Sequence, residues 1–253
     1  GTGHIGAAVA RRFAEAGFDV SATGRRDIVR PNLDGSGVTV LSGDDTDGAV
    51  LKGWIAGASV VVDCATPYPV WMHARPAQVA IAAAVERTRA VIAAVEAAGA
   101  RLVLISSFTT LPRANRGIWG AIGQGLRDGS HPYFDLKAAV EDHVSAYLAR
   151  GGPGAIVAPS TCFGPYDLKP RAQTFIPLLL SGEVRMLADH DLNLVDVRDV
   201  ADVVLAAAGT EIKVPIPVFG HDVALRDLVR RLCALRAVPA PMVSAPKGVG
   251  TAL

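Results

Sequence analysis

Short apolar runs alternate with helix-like stretches along the first 160 residues of the chain. Runs bounded by glycine or polar residues are typical of strands that are buried on both faces of a parallel sheet. The longer stretches repeat apolar residues three and four positions apart, which is the spacing of an amphipathic helix. Predicted strands cover 18–23, 38–41, 59–65, 101–105 and 155–158, and predicted helices cover 7–16, 49–56, 76–98 and 133–150. This order predicts an α/β protein built on a parallel sheet.

The alternation loosens after about residue 160. There the pattern predicts helices near 174–181, 200–208 and 225–236, and strands near 193–197 and 216–219. We therefore expect one unit over 1–160 and a smaller lobe over 161–253 that is partly interleaved with the first sheet. Because the chain begins inside a glycine motif, we expect a first strand upstream of residue 1. We also expect the tail at 245–250 to lack a closing element.

Composition narrows the class of partner. The 253 residues are 50% apolar and carry a formal charge of +1, which argues against nucleic acid or an acidic membrane held by bulk electrostatics. No apolar run approaches the roughly 18–20 residues of a membrane span, and no signal peptide is recognisable. Three widely spaced cysteines favour reduced thiols over disulfides or zinc. We expect a soluble cytoplasmic protein without a metal.

A glycine motif opens the first helix. Gly1, Gly3 and Gly6 form the pattern G-x-G-x-x-G, with His4 and Ile5 between the last two. Such glycines allow a tight turn and a close approach of the backbone to a pyrophosphate, which lies at the positive end of the helix. The motif predicts a dinucleotide site formed by these five residues. A glycine-rich loop without function is the alternative.

The end of the second predicted strand bears on the choice of cofactor. An acidic residue there binds the ribose 2′-hydroxyl of NAD, whereas an arginine accommodates a 2′-phosphate. This chain has Arg25 and Arg26 and no acid at that place, so we expect NADP(H), with NAD(H) as the alternative. A solvated basic turn is the non-functional interpretation.

Two later strand ends carry further candidates. Asp44 follows the third predicted strand and is positioned to accept the adenine amino group, although Asp44, Asp45 or Asp47 would equally cap the next helix. Ala65 ends the fourth strand and should face the cofactor, because ligands bind beyond the carboxyl ends of parallel strands. We interpret Asp63 on that strand as a hydrogen-bonded structural residue.

Tyr133 and Lys137 are four residues apart on a predicted helix and therefore share one face. An ammonium beside a phenol favours the phenolate and lowers the phenol pKa from about 10. The pair is thus a plausible acid–base device, although the spacing also marks an ordinary helix surface. Ser106 and Ser107 stand at the tip of the 101–105 strand, and a glycine-rich loop over 112–129 is a candidate lid.

In this order the motifs resemble the extended branch of the short-chain dehydrogenase/reductase superfamily, which includes nucleotide-sugar epimerases, dehydratases and dihydroflavonol-reductase-like enzymes. The matching segments are GTGHIG at 1–6, GDD at 43–45, ISS at 105–107, YFDLK at 133–137, FGP at 163–165 and VDVRDVA at 195–201. The resemblance implies a Rossmann-type doubly wound parallel sheet, with NADP(H) bound by 1–160 and substrate by a small C-terminal lobe.

The resemblance also implies a catalytic set. Tyr133 matches the general acid–base, and Lys137 matches the residue that holds the nicotinamide ribose and lowers the Tyr pKa. Ser107 matches the group that binds the substrate oxygen, with Ser106 as the runner-up. The implied reaction is hydride transfer between nicotinamide C4 and a carbonyl or carbinol carbon. Arg25 matches the position that contacts the 2′-phosphate.

The chain departs from the family pattern at several positions. They are Ala84 and Arg87 in place of Asn and Gly of an N-V-x-G-T motif, Ala158 in place of Arg, and Asp45 in place of an apolar residue. Arg198 in VDVRDVA favours the dihydroflavonol-reductase side of the family. Its alternative is a helix start at which Asp196 or Asp199 caps and Arg198 pairs with an acid.

Three functions remain open at this point. An NADP(H)-dependent reductase of a small, apolar carbonyl compound is favoured. An epimerase or dehydratase that recycles its cofactor would need cations in the second lobe, for which the candidates are Lys169, Arg171, Arg185 and Lys213. A non-catalytic NADP(H)-sensing protein is the third. By resemblance, helices 76–98 and 133–150 are expected to form a homodimer.

Overall fold

The fold is described from a computed structural model. It describes residues 1–24, 31–66, 74–111, 132–168, 179–182, 184, 186–188, 191–241 and 243–245. The α-helices are α1 (His4–Glu15), α2 (Gly48–Ile55), α3 (Ala74–Ala98), α4 (Pro132–Ala149), α5 (Val197–Ala207) and α6 (Leu225–Leu235). The strands are β1 (Ser21–Gly24), β2 (Thr39–Ser42), β3 (Val60–Asp63), β4 (Arg101–Ile105), β5 (Gly154–Pro159), β6 (Thr161–Phe163), β7 (Met186–Ala188), β8 (Asp191–Asp196), β9 (Ile216–Val218), β10 (His221–Ala224) and β11 (Val243–Ala245). Two 3-10 turns cover Pro31–Leu33 and Phe108–Thr110.

The central sheet is parallel and has the strand order β3–β4–β5–β9. Strands β1 and β2 form a second parallel pair. In the described part of the chain, no backbone ladder joins that pair to the four-stranded sheet. Helix α2 connects β2 to β3, α3 connects β3 to β4, and α4 connects β4 to β5, as in a doubly wound α/β fold.

Strand β4 lies in the middle of three layers. Leu102 and Leu104 pack into a core shared with α3 and α4, whereas Val103 and Ile105 pack into a core shared with α1 and α5. All four side chains are at most 3% exposed. Alternate residues of one strand therefore fill two different cores, which explains the continuous apolar run. The predicted parallel α/β fold is confirmed.

The region after residue 160 contains strands that the sequence did not reveal. β8 pairs antiparallel with β10 and parallel with β6, while β7 pairs parallel with β11. β11 ends at Ala245, and residues 246–250 of the predicted tail lie outside the described residues. β8 agrees with the strand predicted near 193–197, whereas β6, β7, β10 and β11 were not predicted because three or four residues are too few to show an alternation. β9 lies in the central sheet; the domain boundary at 160 stays a prediction.

Two element boundaries differ from their predictions for clear reasons. The strand predicted from residue 18 begins at Ser21, because Phe18 packs on Phe13 with ring centroids 5.2 Å apart and belongs to the turn after α1. The helix predicted from residue 200 begins at Val197, because Asp196 caps it by accepting the Arg198 N–H at 2.8 Å.

Several expectations fall on parts of the chain that the structure leaves undescribed. They concern residues 174–178 of the helix predicted near 174–181, the loop over 112–129, and Arg25 and Arg26. The end of that predicted helix is described, and Leu179 and Leu180 are helical. Among the described helices, none is both long and apolar enough to cross a membrane.

Candidate active site

The glycine turn lies at the start of α1. A Cβ at Gly6 would be 2.0 Å from the Gly1 carbonyl oxygen, so the helix can approach the turn this closely only with glycine at position 6. A Cβ at Gly3 meets nothing within 4 Å, and Gly3 as N-cap has no side chain to cap the first turn. His4 and Ile5 form that turn. An open, positive helix end of this kind fits the pyrophosphate of a dinucleotide.

The turn is fixed against its neighbours. The Asn32 amide donates to the Thr2 carbonyl at 3.0 Å, and the Arg11 guanidinium donates to the Asn32 carbonyl at 2.7 Å. A Cβ at Gly1 would lie 3.7 Å from the Cβ of Ala65, which follows β3. The structure therefore places the glycine turn beside the carboxyl end of β3, where the cofactor-facing position of Ala65 was predicted.

The acidic residues after β2 have different roles. Asp47 is the N-cap of α2 and accepts the Ala49 N–H at 2.8 Å. Asp44 is exposed and accepts the N–H and the hydroxyl of Thr46 at 2.9 and 2.8 Å. Asp47 is thus the helix cap, while an adenine contact by Asp44 stays a prediction. Arg25 and Arg26 lie outside the described residues, directly after Gly24 at the end of β1.

Lys137 lies beneath the tip of β4. Its side chain is 8% exposed, and its Nζ donates to the Ile105 carbonyl oxygen at 3.0 Å. Burial lowers the pKa of Lys137 from the ordinary 10.5 to about 8, against the attraction of Asp63 and Glu141. Tyr133 is half-buried and precedes Lys137 by one turn of α4.

The two serines after β4 are both buried but have different partners. Ser106 donates its hydroxyl to the Glu141 carboxylate, which also accepts from the Thr110 hydroxyl at 2.6 Å. We call Ser106, Thr110 and Glu141 the hydroxyl cluster. Ser107 accepts the Thr109 N–H at 3.3 Å, so its own hydroxyl hydrogen takes no part in that bond. This difference favours Ser107 over Ser106 as a donor to a substrate.

A second buried group lies at the end of β3. The Arg87 guanidinium contacts Asp63 at 2.8 and 3.1 Å and Asp45 at 2.8 Å. We call Arg87, Asp45 and Asp63 the arginine cluster. Burial by itself raises the pKa of the Asp63 carboxyl, but Arg87 outweighs it and holds that pKa below its ordinary value. Asp63 is therefore an ionised, hydrogen-bonded residue, in agreement with its structural interpretation.

Sequence reasoning missed both clusters, although each left a signal. Glu141 follows Lys137 by four residues, which places the two on one helix face. Asp45 and Arg87 were recognised separately as departures from a family pattern, but their opposite charges were not connected. The structure also shows that Arg198 pairs with Asp196 at 2.6 Å, as the helix-start alternative stated.

The sequence profile of the NAD dependent epimerase/dehydratase family matches residues 1–217. The chain belongs to this family. Together with the parallel sheet and the glycine turn, this identifies an enzyme of the extended short-chain dehydrogenase/reductase type, as the sequence motifs predicted.

Individual relatives show the breadth of the epimerase/dehydratase family. A Synechocystis sp. protein with the provisional name dihydroflavonol 4-reductase is 29% identical over 97% of this chain and 74% of its own length. A nucleoside-diphosphate-sugar epimerase from Pseudomonas aeruginosa superposes with a TM-score of 0.80 at 23% identity, over 99% of this chain and 80% of its own. A dTDP-glucose 4,6-dehydratase from Streptomyces venezuelae, solved with NAD, gives 0.78 at 19%, over 99% and 84%. The two structures support the fold.

Proposed function

We propose that this protein is an NADP(H)-dependent oxidoreductase that reduces a small carbonyl compound, or oxidises the corresponding alcohol. The observation that carries the proposal is the buried Lys137, whose Nζ binds the carbonyl of Ile105 immediately before the two strand-tip serines. Tyr133 precedes it by one helical turn, so a phenol, an ammonium and a hydroxyl come from two adjoining elements.

The proposed roles follow from the chemistry of each group. The Ser107 hydroxyl binds the substrate oxygen and orients it. The Tyr133 phenol donates its proton to that oxygen as negative charge develops there. The Lys137 ammonium favours the phenolate that remains and holds the nicotinamide ribose. A nicotinamide cofactor supplies the hydride that reaches the carbonyl carbon.

The residues of the glycine turn fit a dinucleotide. Gly1, Gly3, His4, Ile5 and Gly6 are proposed to hold its pyrophosphate. In the same proposal, Ala65 faces the nicotinamide half, and Asp44 accepts from the adenine amino group. The supporting observations are the open space at Gly3, the close approach at Gly6 and the contact of the turn with the end of β3.

NADP(H) is the proposed cofactor because two cations, Arg25 and Arg26, follow β1 at the place where NAD-binding sites carry an acid. Arg25→Asp should shift preference toward NADH by about tenfold or more, since it replaces a phosphate partner with a repelling charge. Initial rates with NADPH and NADH measure the ratio. An unchanged ratio would mean that the 2′-phosphate is read elsewhere.

The proposed acid–base role is tested by Tyr133→Phe. This variant should lose turnover by at least about a hundredfold while its affinity for NADPH stays within a few-fold, because only the proton donor is removed. Loss of NADPH absorbance with a panel of small ketones measures turnover. Retained turnover in Tyr133→Phe would reject the role, and a wild type that binds NADPH without turnover would favour the sensing protein.

An epimerase or dehydratase is the second candidate, favoured by the nucleotide-sugar enzymes among the structural neighbours. Turnover without net change of cofactor would support it, whereas stoichiometric loss of NADPH supports the reductase. Lys213, one of its candidate cations, pairs with Glu211 at 3.2 Å on the surface. Lys169, Arg171 and Arg185 lie outside the described residues. A homodimer through α3 and α4 is also proposed, and light scattering tests it.

A further inference from the structure

Arg87 of α3 contacts carboxylates at the ends of two strands. Its Nε donates to Asp45 at 2.8 Å, and its two terminal nitrogens donate to Asp63 at 2.8 and 3.1 Å. Asp45 follows β2, while Asp63 ends β3. The guanidinium therefore bridges the ends of β2 and β3 through side-chain hydrogen bonds.

The link is largely shielded from solvent. The side chains of Arg87, Asp45 and Asp63 are 12%, 15% and 5% exposed, and the contact with Asp63 is bidentate. Two parallel N–H···O bonds fix the plane of a guanidinium as well as its position. Arg89, two residues further along the same helix, pairs with Glu86 at the surface, where both side chains are more than half exposed. The arginine cluster is therefore a shielded contact with fixed geometry, whereas Arg89–Glu86 is an ordinary surface ion pair.

Each carboxylate of the arginine cluster adjoins a residue that faces the proposed cofactor. Asp63 also accepts the N–H of Ala65 at 3.1 Å, and Ala65 lies against Gly1 of the glycine turn. Asp45 directly follows Asp44, the residue proposed to accept from adenine. Arg87 thus controls the separation between two stretches of backbone that would bind opposite parts of one dinucleotide.

We infer that Arg87 is a positioning residue for the cofactor cleft, because it holds Asp45 and Asp63 at a fixed separation and so preorganises the loops at 44–45 and 63–65 for a dinucleotide. This inference rests on the proposed function. Arg87 acts through its two carboxylates and makes no contact with the cofactor. The two departures from the family pattern at positions 45 and 87 are, on this account, one joint feature.

The inference predicts a specific kinetic signature. Arg87→Met removes the link, so the two loops must be ordered when the cofactor binds, and affinity for NADPH falls. Tyr133, Lys137 and Ser107 lie on α4 and at the tip of β4, whereas the hydrogen bonds of Arg87 go to Asp45 and Asp63. Turnover at saturating NADPH should therefore change by less than about threefold, while KM for NADPH rises about tenfold or more.

The experiment compares NADPH binding by calorimetry in the wild type, Arg87→Met, Arg87→Lys, Asp45→Asn and Arg89→Met. We expect the dissociation constant to rise about tenfold or more in Arg87→Met and a few-fold in Asp45→Asn. Arg87→Lys should fall between the wild type and Arg87→Met, because an ammonium cannot reproduce the planar fork. Arg89→Met is the matched control on the same helix and should bind as the wild type does.

Equal affinity in the wild type and Arg87→Met would overturn the inference, as would a fall of kcat as large as the rise of KM. If Arg87→Met does not fold, unchanged binding in both Arg87→Lys and Asp45→Asn would overturn it instead. Binding is measured without turnover, so a wild type that binds NADPH but reduces no carbonyl contradicts the proposed reaction alone. A wild type that binds neither NADPH nor NADH contradicts both.

Discussion

The hydroxyl cluster and the arginine cluster are two buried carboxylate sites close to the same lysine, and they are built in opposite ways. Glu141 is held by the neutral hydroxyls of Ser106 and Thr110, within the unit formed by α4 and the tip of β4. Asp63 is held by the charged fork of Arg87, which reaches it from α3 and also binds the loop after β2. One site joins α4 to the tip of β4, whereas the other joins α3 to the ends of β2 and β3.

This difference indicates a division of roles. Both carboxylates attract the Lys137 ammonium, Asp63 more strongly than Glu141, so this attraction does not distinguish the two clusters. Their positions do, because Glu141 lies one helical turn after Lys137 and accepts from Ser106, next to Ser107. The Arg87 side chain is long, and its guanidinium binds Asp45 and Asp63 at the same time. It can therefore set the distance between two sides of a cleft. We therefore associate the hydroxyl cluster with the reacting groups and the arginine cluster with the fit of the cofactor.

The largest expected effect concerns the stability of the fold around Lys137, on which both clusters act. The native amine loses its proton near pH 8, whereas the unfolded chain retains it until about 10.5. Between these values the unfolded state binds more protons, so stability rises with pH, by about 3 kcal/mol in total. Below pH 8 this contribution is constant.

Urea unfolding of the wild type and Lys137→Met at pH 7.5, 9 and 10.5 measures that effect. The wild type should gain stability relative to Lys137→Met across this window, because only it carries the buried amine. Parallel stability curves would show that Lys137 is not desolvated as the structure implies.

The next effect separates the two serines. Ser107→Ala should reduce turnover about a hundredfold, because its hydroxyl is proposed to bind the substrate. It should cost about 1 kcal/mol of stability or less, through loss of the bond to the Thr109 N–H. Ser106→Ala removes a donor from the buried Glu141 and should cost about 1–3 kcal/mol of stability, with turnover within a few-fold. The reverse pattern would assign the substrate contact to Ser106.

The smallest effect tests the charge of the arginine cluster. Asp63 and Glu141 both favour the protonated form of Lys137. Asp63→Asn removes one of these charges, so the pKa of Lys137 falls and the loss of turnover at high pH begins about one unit lower. A pH profile of kcat measures the shift, with the exposed Asp202→Asn as its control. An unmoved profile would contradict the proximity of Asp63 to Lys137.

Sequence reasoning succeeded where local pattern and tertiary environment agree. The 101–105 strand was predicted with its observed bounds. Its apolar run is short and ends at polar residues on both sides, so the pattern itself marks where the strand begins and ends. β10 was missed because His221–Ala224 is half polar and becomes a strand only by pairing with β8. Its existence depends on a partner 27 to 33 residues away in the sequence, at positions 191–194.

The candidate site shows the same limit. The Tyr133/Lys137 spacing is local and was visible, whereas the Asp45–Arg87 contact spans 42 residues and depends on how α3 lies on the sheet. Local spacing also gave no means to distinguish Ser106 from Ser107. Their partners do so, and those partners come from α4 and from the 3-10 turn.

The alternating burial of β4 has a consequence for chain length. Deleting one residue within β4 would move every side chain beyond the deletion to the opposite face of the sheet. Ile105, for example, would then point into the core that Leu104 fills. The same deletion would turn the hydroxyls of Ser106 and Ser107 to opposite faces. Loss of one residue would therefore disrupt both the packing of β4 and the proposed substrate contact. Deletions at this strand are therefore expected to be far less tolerated than conservative replacements at the same positions.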